Sequence, residues 1–386
     1  MKRKSNPGLD LTSIMNDVRR REAKLIERLK TLVEIESPSS DKAGVDHAQS
    51  VFAEWAGAAG GKVRRHSHRD FGDSLEVRFG PAARGQKPIM LLGHLDTVWA
   101  LGTLTKMPFR ATRDRISGPG VLDMKAGVVM MLTAIESLKN TGQLRRSIAL
   151  LIHGDEEVGS PASRKLTESL ARKCSQVYVL EPAQGDAGAY KTARKGIGHY
   201  RLQVRGLAAH SGVDFEKGHS AVVELARQIE VLQSLTDLKQ GITVNPGVIG
   251  GGSCSNVIAA QAWVEIDVRV ARMRDIAAVD RAMHSLRPFD QNCTLTIAGG
   301  MNRPPMERSK GTAALFKKAQ GFATDLGITL DEAATGGASD GNLTAALGLS
   351  TLDGMGAVGA GAHAHHEHLQ RKHLVPRTAL LAAMLL

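Results

Sequence analysis

Two adjacent carboxylates, Glu156 and Glu157, lie in Gly154-Asp155-Glu156-Glu157-Val158-Gly159-Ser160, directly after the apolar run Ile148-Ala149-Leu150-Leu151-Ile152. An apolar run of that kind reads as a buried parallel strand. The pair therefore sits at a strand's C-terminal end, the edge at which open α/β sheets bind ligands. Neighbouring carboxylates repel unless a cation or a shared proton separates their roles. Most Glu-Glu pairs merely decorate solvated helix ends, but four further segments take this one out of that class. The apolar Pro88-Ile89-Met90-Leu91-Leu92 runs into Gly93-His94-Leu95-Asp96-Thr97, and the glycine-rich Gly118-Pro119-Gly120-Val121-Leu122-Asp123-Met124-Lys125-Ala126-Gly127 feeds an apolar helix from Val128 to Leu138. Val177-Tyr178-Val179-Leu180 ends in Glu181-Pro182, and the C-terminal part carries Gly361-Ala362-His363. Five segments thus deliver His, Asp, Glu, Glu and His at strand ends or loops.

A divalent metal explains this set better than a nucleophile triad. Histidine with carboxylates suits zinc, with cobalt or manganese as alternatives, and a bridging carboxylate lets two ions sit roughly 3.5–4 Å apart. Asp123 has the position for the bridge. Of the two adjacent glutamates, one can bind metal while the other takes the proton of the attacking water. Asp96 follows His94 by two residues, so in an extended segment both side chains share a face and the carboxylate can orient the imidazole. No Gly-x-Ser-x-Gly elbow, catalytic-type cysteine context or P-loop competes.

The elements that position these groups follow from length and pattern. At 386 residues the chain is long for one core, so two domains are expected. Its 42% hydrophobic and 23% charged residues are those of a globular protein, while 4% aromatic content argues against a nucleic-acid binder that stacks bases. The net charge of +11 is spread out, with clusters only at Lys2-Arg3-Lys4 and Arg19-Arg20-Arg21, the latter read as a solvated helix face. Cys174, Cys254 and Cys293 have no metal or redox spacing and read as reduced thiols. The N-terminus lacks a secretory apolar region and no run approaches a membrane span, so a cytoplasmic protein without a membrane or nucleic-acid partner is expected.

Along the chain, helical spacing over Leu11–Glu36 breaks at the arginine run, and a second helix runs from Asp41 to Ala59. Alternating strands and helices through the Glu181 strand give an α/β domain with a mixed, mostly parallel sheet flanked by helices. At about Gly196 the pattern changes to half-exposed strands and two helices, an inserted α+β domain ending near Gly299-Gly300. A helix over Gly311–Leu326, a strand at Gly327–Leu330 and a final apolar helix resume the first pattern. The expected boundaries are 1–196 and 303–386 for the discontinuous catalytic domain and 197–302 for the insertion.

The motifs around His94, Asp123, Glu156-Glu157, Glu181 and His363 resemble, in order and spacing, the di-zinc metallopeptidase family of carboxypeptidase G, aminoacylase, acetylornithine deacetylase and succinyl-diaminopimelate desuccinylase. The resemblance spans nearly the whole chain and is closest to the carboxypeptidase G branch in Gly-His-Leu-Asp-Thr-Val-Trp and Leu-Asp-Gly-Met-Gly. It implies two zinc ions per subunit, one on His94 and Glu181, the other on Glu157 and His363, with Asp123 bridging them. It also implies Glu156 as general base, Asp96 as clamp on His94 and a cis peptide at Asp123-Met124. Among the crowded His363, His365, His366, His368 and His373, Gly-Ala-His favours His363 as ligand. The insertion is similar to the family's lid and dimerisation domain, and Gly206-Leu207-Ala208-Ala209-His210-Ser211-Gly212 to its histidine motif, in which the imidazole reaches the partner subunit's site and stabilises an oxyanion. Asn256, Arg269 and Arg303 resemble positions that hold a substrate carboxylate, for which Arg's planar fork is suited; Arg269 could instead pair with Glu265 on its own strand. The implied protein is a homodimeric hydrolase cleaving an amide beside a free carboxylate, most like a glutamate carboxypeptidase. An N-acyl amino acid deacylase and a catalytically silent dimer binding a peptide or amino acid derivative are the alternatives.

Overall fold

The computed structural model describes residues 10–81 and 85–386; the basic Lys2-Arg3-Lys4 lies outside them. The chain divides into two compact units, one formed by the described part of Met1–Ala193 with Arg308–Thr335 and Ser339–Leu386, the other by Arg194–Glu307 with Gly336–Ala338.

The first unit is built on a six-stranded sheet in the order Lys62–His66, Gly72–Phe79, Ile148–Gly154, Ile89–His94, Gln176–Val179, Thr351–Leu352. The first three strands pair antiparallel and the remaining ladders are parallel. Successive side chains on a strand point to opposite faces, and the sheet buries both. Ile89, Leu91, Leu150, Ile152 and Tyr178 face the larger core, whereas Met90, Leu92, Leu151, Val177 and Val179 face a smaller one. That two-sided burial is why these strands are continuous apolar runs rather than alternating ones. The larger core is closed by helices Leu11–Arg20, Ala126–Asn140 and Leu374–Met384, which contact one another.

The N-terminal helical stretch is two helices, Leu11–Arg20 and Glu22–Glu34, joined at Arg21. Arg21 departs from the solvated reading of the arginine run: its Nε lies 2.6 Å from Asp17 and its guanidinium 3.3 Å from Glu136. A strand was expected at Gly327–Leu330, but it begins later, at Glu332–Thr335. Gly327, at φ 71°, closes the preceding helix, and the Ile328 amide donates back to Ala323 O at 2.8 Å, so these residues are used as a helix cap.

The second unit is an antiparallel sheet in the order Thr243–Gly251, Gln261–Val270, Gly196–Arg205, Thr294–Arg303. Strand Gly196–Arg205 alternates between buried and less buried positions. Tyr200, Leu202 and Val204 join Val264, Ile266 and Val268 in a core that helices Ala221–Ser234 and Met273–His284 help to cover. Gly299 and Gly300 do not end the insertion; they lie inside its last strand, opposite Tyr200 and His199. Gly299 has φ 108°, and a Cβ there would come within 2.1 Å of His199 O. The glycine marks a close approach of the neighbouring strand's backbone, which in sequence looks the same as a linker.

Gly127 performs a comparable task in the first unit, because a Cβ there would meet Leu180 O at 2.1 Å. The start of the apolar helix is thereby seated against the strand end that leads to Glu181. Gly127→Ala is expected to lower unfolding free energy by about 1–3 kcal/mol through overpacking. Gly321→Ala, in a helix with nothing within 4 Å of the added Cβ, should raise it by about 0.5–1 kcal/mol. Urea titrations of the two variants check both signs.

Candidate metal centre

Strand ends of the first unit converge on one cluster. His94 is the last residue of Ile89–His94, Glu156 and Glu157 open a single turn after Ile148–Gly154, and Glu181 follows Gln176–Val179 by two residues. Asp123 sits in a wide π-type turn, Val121–Lys125, where its backbone leaves helical geometry and the Asp123-Met124 peptide is cis, as the resemblance implies. His363 arrives from elsewhere. Short strands Gly359–Ala360 and His368–Gln370 form a hairpin whose second strand pairs with Arg115–Ser117, the segment just before the Asp123 turn. The hairpin loop therefore delivers His363 beside Asp123.

His94 Nε2 lies 3.5 Å from Asp123 Oδ1 and 3.6 Å from Glu181 Oε1, while His363 Nε2 lies 3.4 Å from Asp123 Oδ2 and 3.2 Å from Glu157 Oε2. One aspartate thus faces two imidazole–glutamate pairs, one through each oxygen. The distances on the His94 side are too long for good hydrogen bonds, and His94 Nε2 and Glu157 Oε1 are buried without a hydrogen-bond partner. Buried polar atoms of this kind are rare without an ion or water to satisfy them. Donor atoms of His94, Asp123 and Glu157 lie within 4.8 Å of one another, as do those of His94, Glu156 and Glu181. Nitrogen and carboxylate donors in such groups fit a divalent cation of the zinc type. Glu156 is close enough to serve as ligand or as base.

Hydrogen bonds around the cluster hold it as firmly. His94 Nδ1 lies 3.0 Å from Asp96 O and 3.4 Å from its Oδ1; since a carbonyl only accepts, Nδ1 carries a proton and Nε2 faces the cluster. The Asp96 carboxylate does more than neighbour His94. It accepts from the amides of Glu156 and Glu157 at 3.2 and 3.1 Å and from Ser39 Oγ at 2.7 Å, tying the His94 strand to the glutamate turn. Asp155 Oδ2 accepts from the amides of Ala162 and Ser163, and Ser160 Oγ donates to Asp340 Oδ1 at 2.5 Å.

Of the crowded histidines, His363 is the one whose Nε2 meets the carboxylates. The His365 ring lies 5.4 Å from Trp99, and His368 Nδ1 donates to His366 O at 2.8 Å. His363 has φ 62°, a left-handed conformation uncommon outside glycine. Sequence reasoning missed Glu367, a fully buried carboxylate that accepts from Trp99 and from three amides of the Asp123 turn. The available signal was a lone acidic residue within the histidine-rich segment.

The other expected residues belong to the second unit and fall into two groups. His210 and Asn256 are exposed and adjacent: His210 bridges to Val257, and the Ser211 amide donates to Asn256 O at 3.0 Å. The Gly212 amide donates to His210 Nδ1 at 3.1 Å, which leaves Nε2 to carry the proton. Arg269 and Arg303 flank Ile197 from either side at the other end of the sheet. The eight residue steps from Gln261 to Arg269 alone span about 27 Å. Arg269 pairs with Asp267, two residues away on the same strand face, at 2.8 and 2.9 Å; Glu265, four residues away, takes Arg201 at 2.6 Å instead. Arg303 is buried.

Without a cation, the cluster stores protons. Although burial opposes the charge, the carboxylates of Asp123, Asp96 and Glu181 raise the His94 pKa well above its ordinary value. Asp123 and Glu157 raise that of His363 to about 10, and burial, helped by the Asp123 charge, pushes Glu157 up to about 7. His363 and His94 hold Asp123 below the usual carboxylate range against the effect of burial. A cation must displace the imidazole protons and the proton shared by Glu157, so affinity should rise with pH up to the His363 value, with about two to three protons released per fully loaded subunit near neutrality. Calorimetric zinc titrations in buffers of different ionisation enthalpy measure that number.

Comparison with known proteins gives the family. Residues 90–386 match the pattern of peptidase family M20/M25/M40. Carboxypeptidase G2 of Pseudomonas sp. strain RS-16 is 30% identical over 371 residues, covering 94% of this chain and 88% of that protein. A succinyl-diaminopimelate desuccinylase of Acidovorax ebreus is 26% identical over 328 residues, covering 78% and 80%. The crystal structure of aminopeptidase PepT from Bacillus cereus superposes with a TM-score of 0.79 at 21% identity, covering 94% of this chain and 98% of that one. The chain belongs to peptidase family M20/M25/M40 and is a hydrolytic metallopeptidase.

Proposed function

We propose that the protein is a two-metal hydrolase that cleaves an amide bond beside a free carboxylate and releases a C-terminal amino acid, glutamate being the first candidate. The observation that carries this reading is Asp123, whose two oxygens face separate imidazole–glutamate pairs. His94 and Glu181 would hold one ion, Glu157 and His363 the other, and Asp123 both. When bound, such ions polarise a carbonyl and lower the pKa of nearby water. The ligand types suit zinc, and also cobalt or manganese. Similarity to carboxypeptidase G2 supports the carboxypeptidase reaction; similarity to the desuccinylase supports N-acyl amino acid deacylation as a second reading.

The chain's own groups divide the remaining work. A Glu156 carboxylate oxygen takes a proton from water as the water oxygen bonds to the amide carbon. It returns that proton to the amide nitrogen as the carbon–nitrogen bond breaks. His210 Nε2–H donates to the oxygen that gains negative charge. Asn256, Arg269 and Arg303 hold the substrate carboxylate, although Arg269 must share its fork with Asp267. The sheet separates His210 and Asn256 from the two arginines by more than the length of a small substrate. A homodimer in which one subunit's His210 and Asn256 serve its partner's site resolves that separation. Among the described residues no helix is long and apolar enough to cross a membrane and the three cysteines are free, in keeping with a cytoplasmic enzyme.

The test is amino acid release from a panel of peptidyl and N-acyl amino acids by zinc-loaded wild type and Glu156→Ala. The variant should keep both ions while kcat falls by about 10²–10⁴. Loss of an ion in the variant would make Glu156 a ligand. No turnover by dimeric, fully metallated wild type would leave the silent binding protein as the surviving reading.

A further inference from the structure

Glu367 is fully buried, and its carboxylate collects four donors from segments far apart in the chain. Oε1 accepts from the amides of Leu122 and Asp123 at 2.8 and 3.1 Å, and Oε2 accepts from the Gly120 amide and Trp99 Nε1, both at 2.9 Å. Its own amide donates to Ala364 O at 2.8 Å, closing the turn that follows His363. This one side chain therefore joins the segment after His94, the turn that presents Asp123 and the loop that presents His363. Gly120 has φ 69°, so its amide turns toward the carboxylate without the cost a side chain would impose there.

We propose that Glu367 is a positioning residue for the metal centre: its carboxylate fixes the Asp123 turn against the His363 loop, and so sets the metal affinity of both sites. The proposal rests on the two-metal reading above. All four partners are donors, which only a carboxylate satisfies; a glutamine amide would turn an N–H group toward an N–H group. Because Asp123 faces both imidazole–glutamate pairs, a small rotation of its turn alters both, whereas the strand ends carrying His94, Glu157 and Glu181 are held independently by the sheet and by Asp96.

The test compares wild type, Glu367→Gln and Glu367→Asp with Glu136→Gln. The last removes a carboxylate, on the helix after the turn, that binds Arg21 and Arg28 of the N-terminal helices, and so controls for general destabilisation. Metal is stripped, and the dissociation constants for Zn²⁺ and the visible spectrum with Co²⁺ are measured beside the urea midpoint. Glu367→Gln is expected to weaken metal binding by about 10–100-fold and to shift the Co²⁺ bands, with Glu367→Asp in between and Glu136→Gln unchanged in both. If Glu367→Gln does not fold, Glu367→Asp carries the test alone. Wild-type affinity and spectrum in the folded Glu367 variants would overturn the proposal, whatever their stability. Wild type that takes up no divalent metal would instead remove the reading on which it rests.

Discussion

The structure depends on the repulsion among carboxylates gathered in one buried place. Asp123, Glu156, Glu157 and Glu181 surround two imidazoles at strand ends. Two like charges about 4 Å apart cost on the order of 4 kcal/mol at an effective dielectric near 20, so several together are tolerable only with counter-charge. Protons on His94 and His363 supply it in the metal-free chain, and divalent ions are the replacement these donor types favour. The centre and its proton inventory are therefore one phenomenon.

Holding such a cluster together requires anchors outside it, and each anchor joins segments distant in sequence. The parallel ladders bring His94, Glu156-Glu157 and Glu181 to one edge, since strands in register end together. Asp96 ties two of those ends through backbone amides. The Asp123 turn and the His363 loop lie off the main sheet, and the small hairpin pairing with Arg115–Ser117 and the buried Glu367 hold them. Asp123 is thus both the electrostatic centre and the part whose placement relies most on side-chain hydrogen bonds.

The second unit obeys a different constraint. Its sheet buries one face under helices, so its strands alternate, and polar groups concentrate at strand ends and on the open face. His210 with Asn256 and Arg269 with Arg303 occupy opposite ends because ten-residue strands keep them there. Arg201 meets Glu265 directly across the ladder, whereas Arg269 meets Asp267 along its own strand, where residues two apart share a face.

Much of the centre was legible in the sequence because its chemistry is attached to local signals. An apolar run ending in His-x-Asp, Asp-Glu-Glu or Glu-Pro states both the strand and the group at its tip, and a glycine-rich turn before an apolar helix announces Asp123. The two-sided burial of the central sheet was likewise written in its unbroken hydrophobic runs. Tertiary structure alone decided the rest. Glu367 makes its contacts across more than two hundred residues, so no local pattern distinguishes it from a surface glutamate. Gly299-Gly300 reads as a linker but admits the close backbone of the neighbouring strand, and Gly327 reads as a strand start but caps a helix, because glycine signals an unusual backbone without saying what approaches it. The choice of His363 from five histidines was favoured by its motif, but the backbone pairing of a hairpin against Arg115–Ser117 places it at Asp123. Sequence determined which groups the centre gathers; long-range hydrogen bonds determined where they meet.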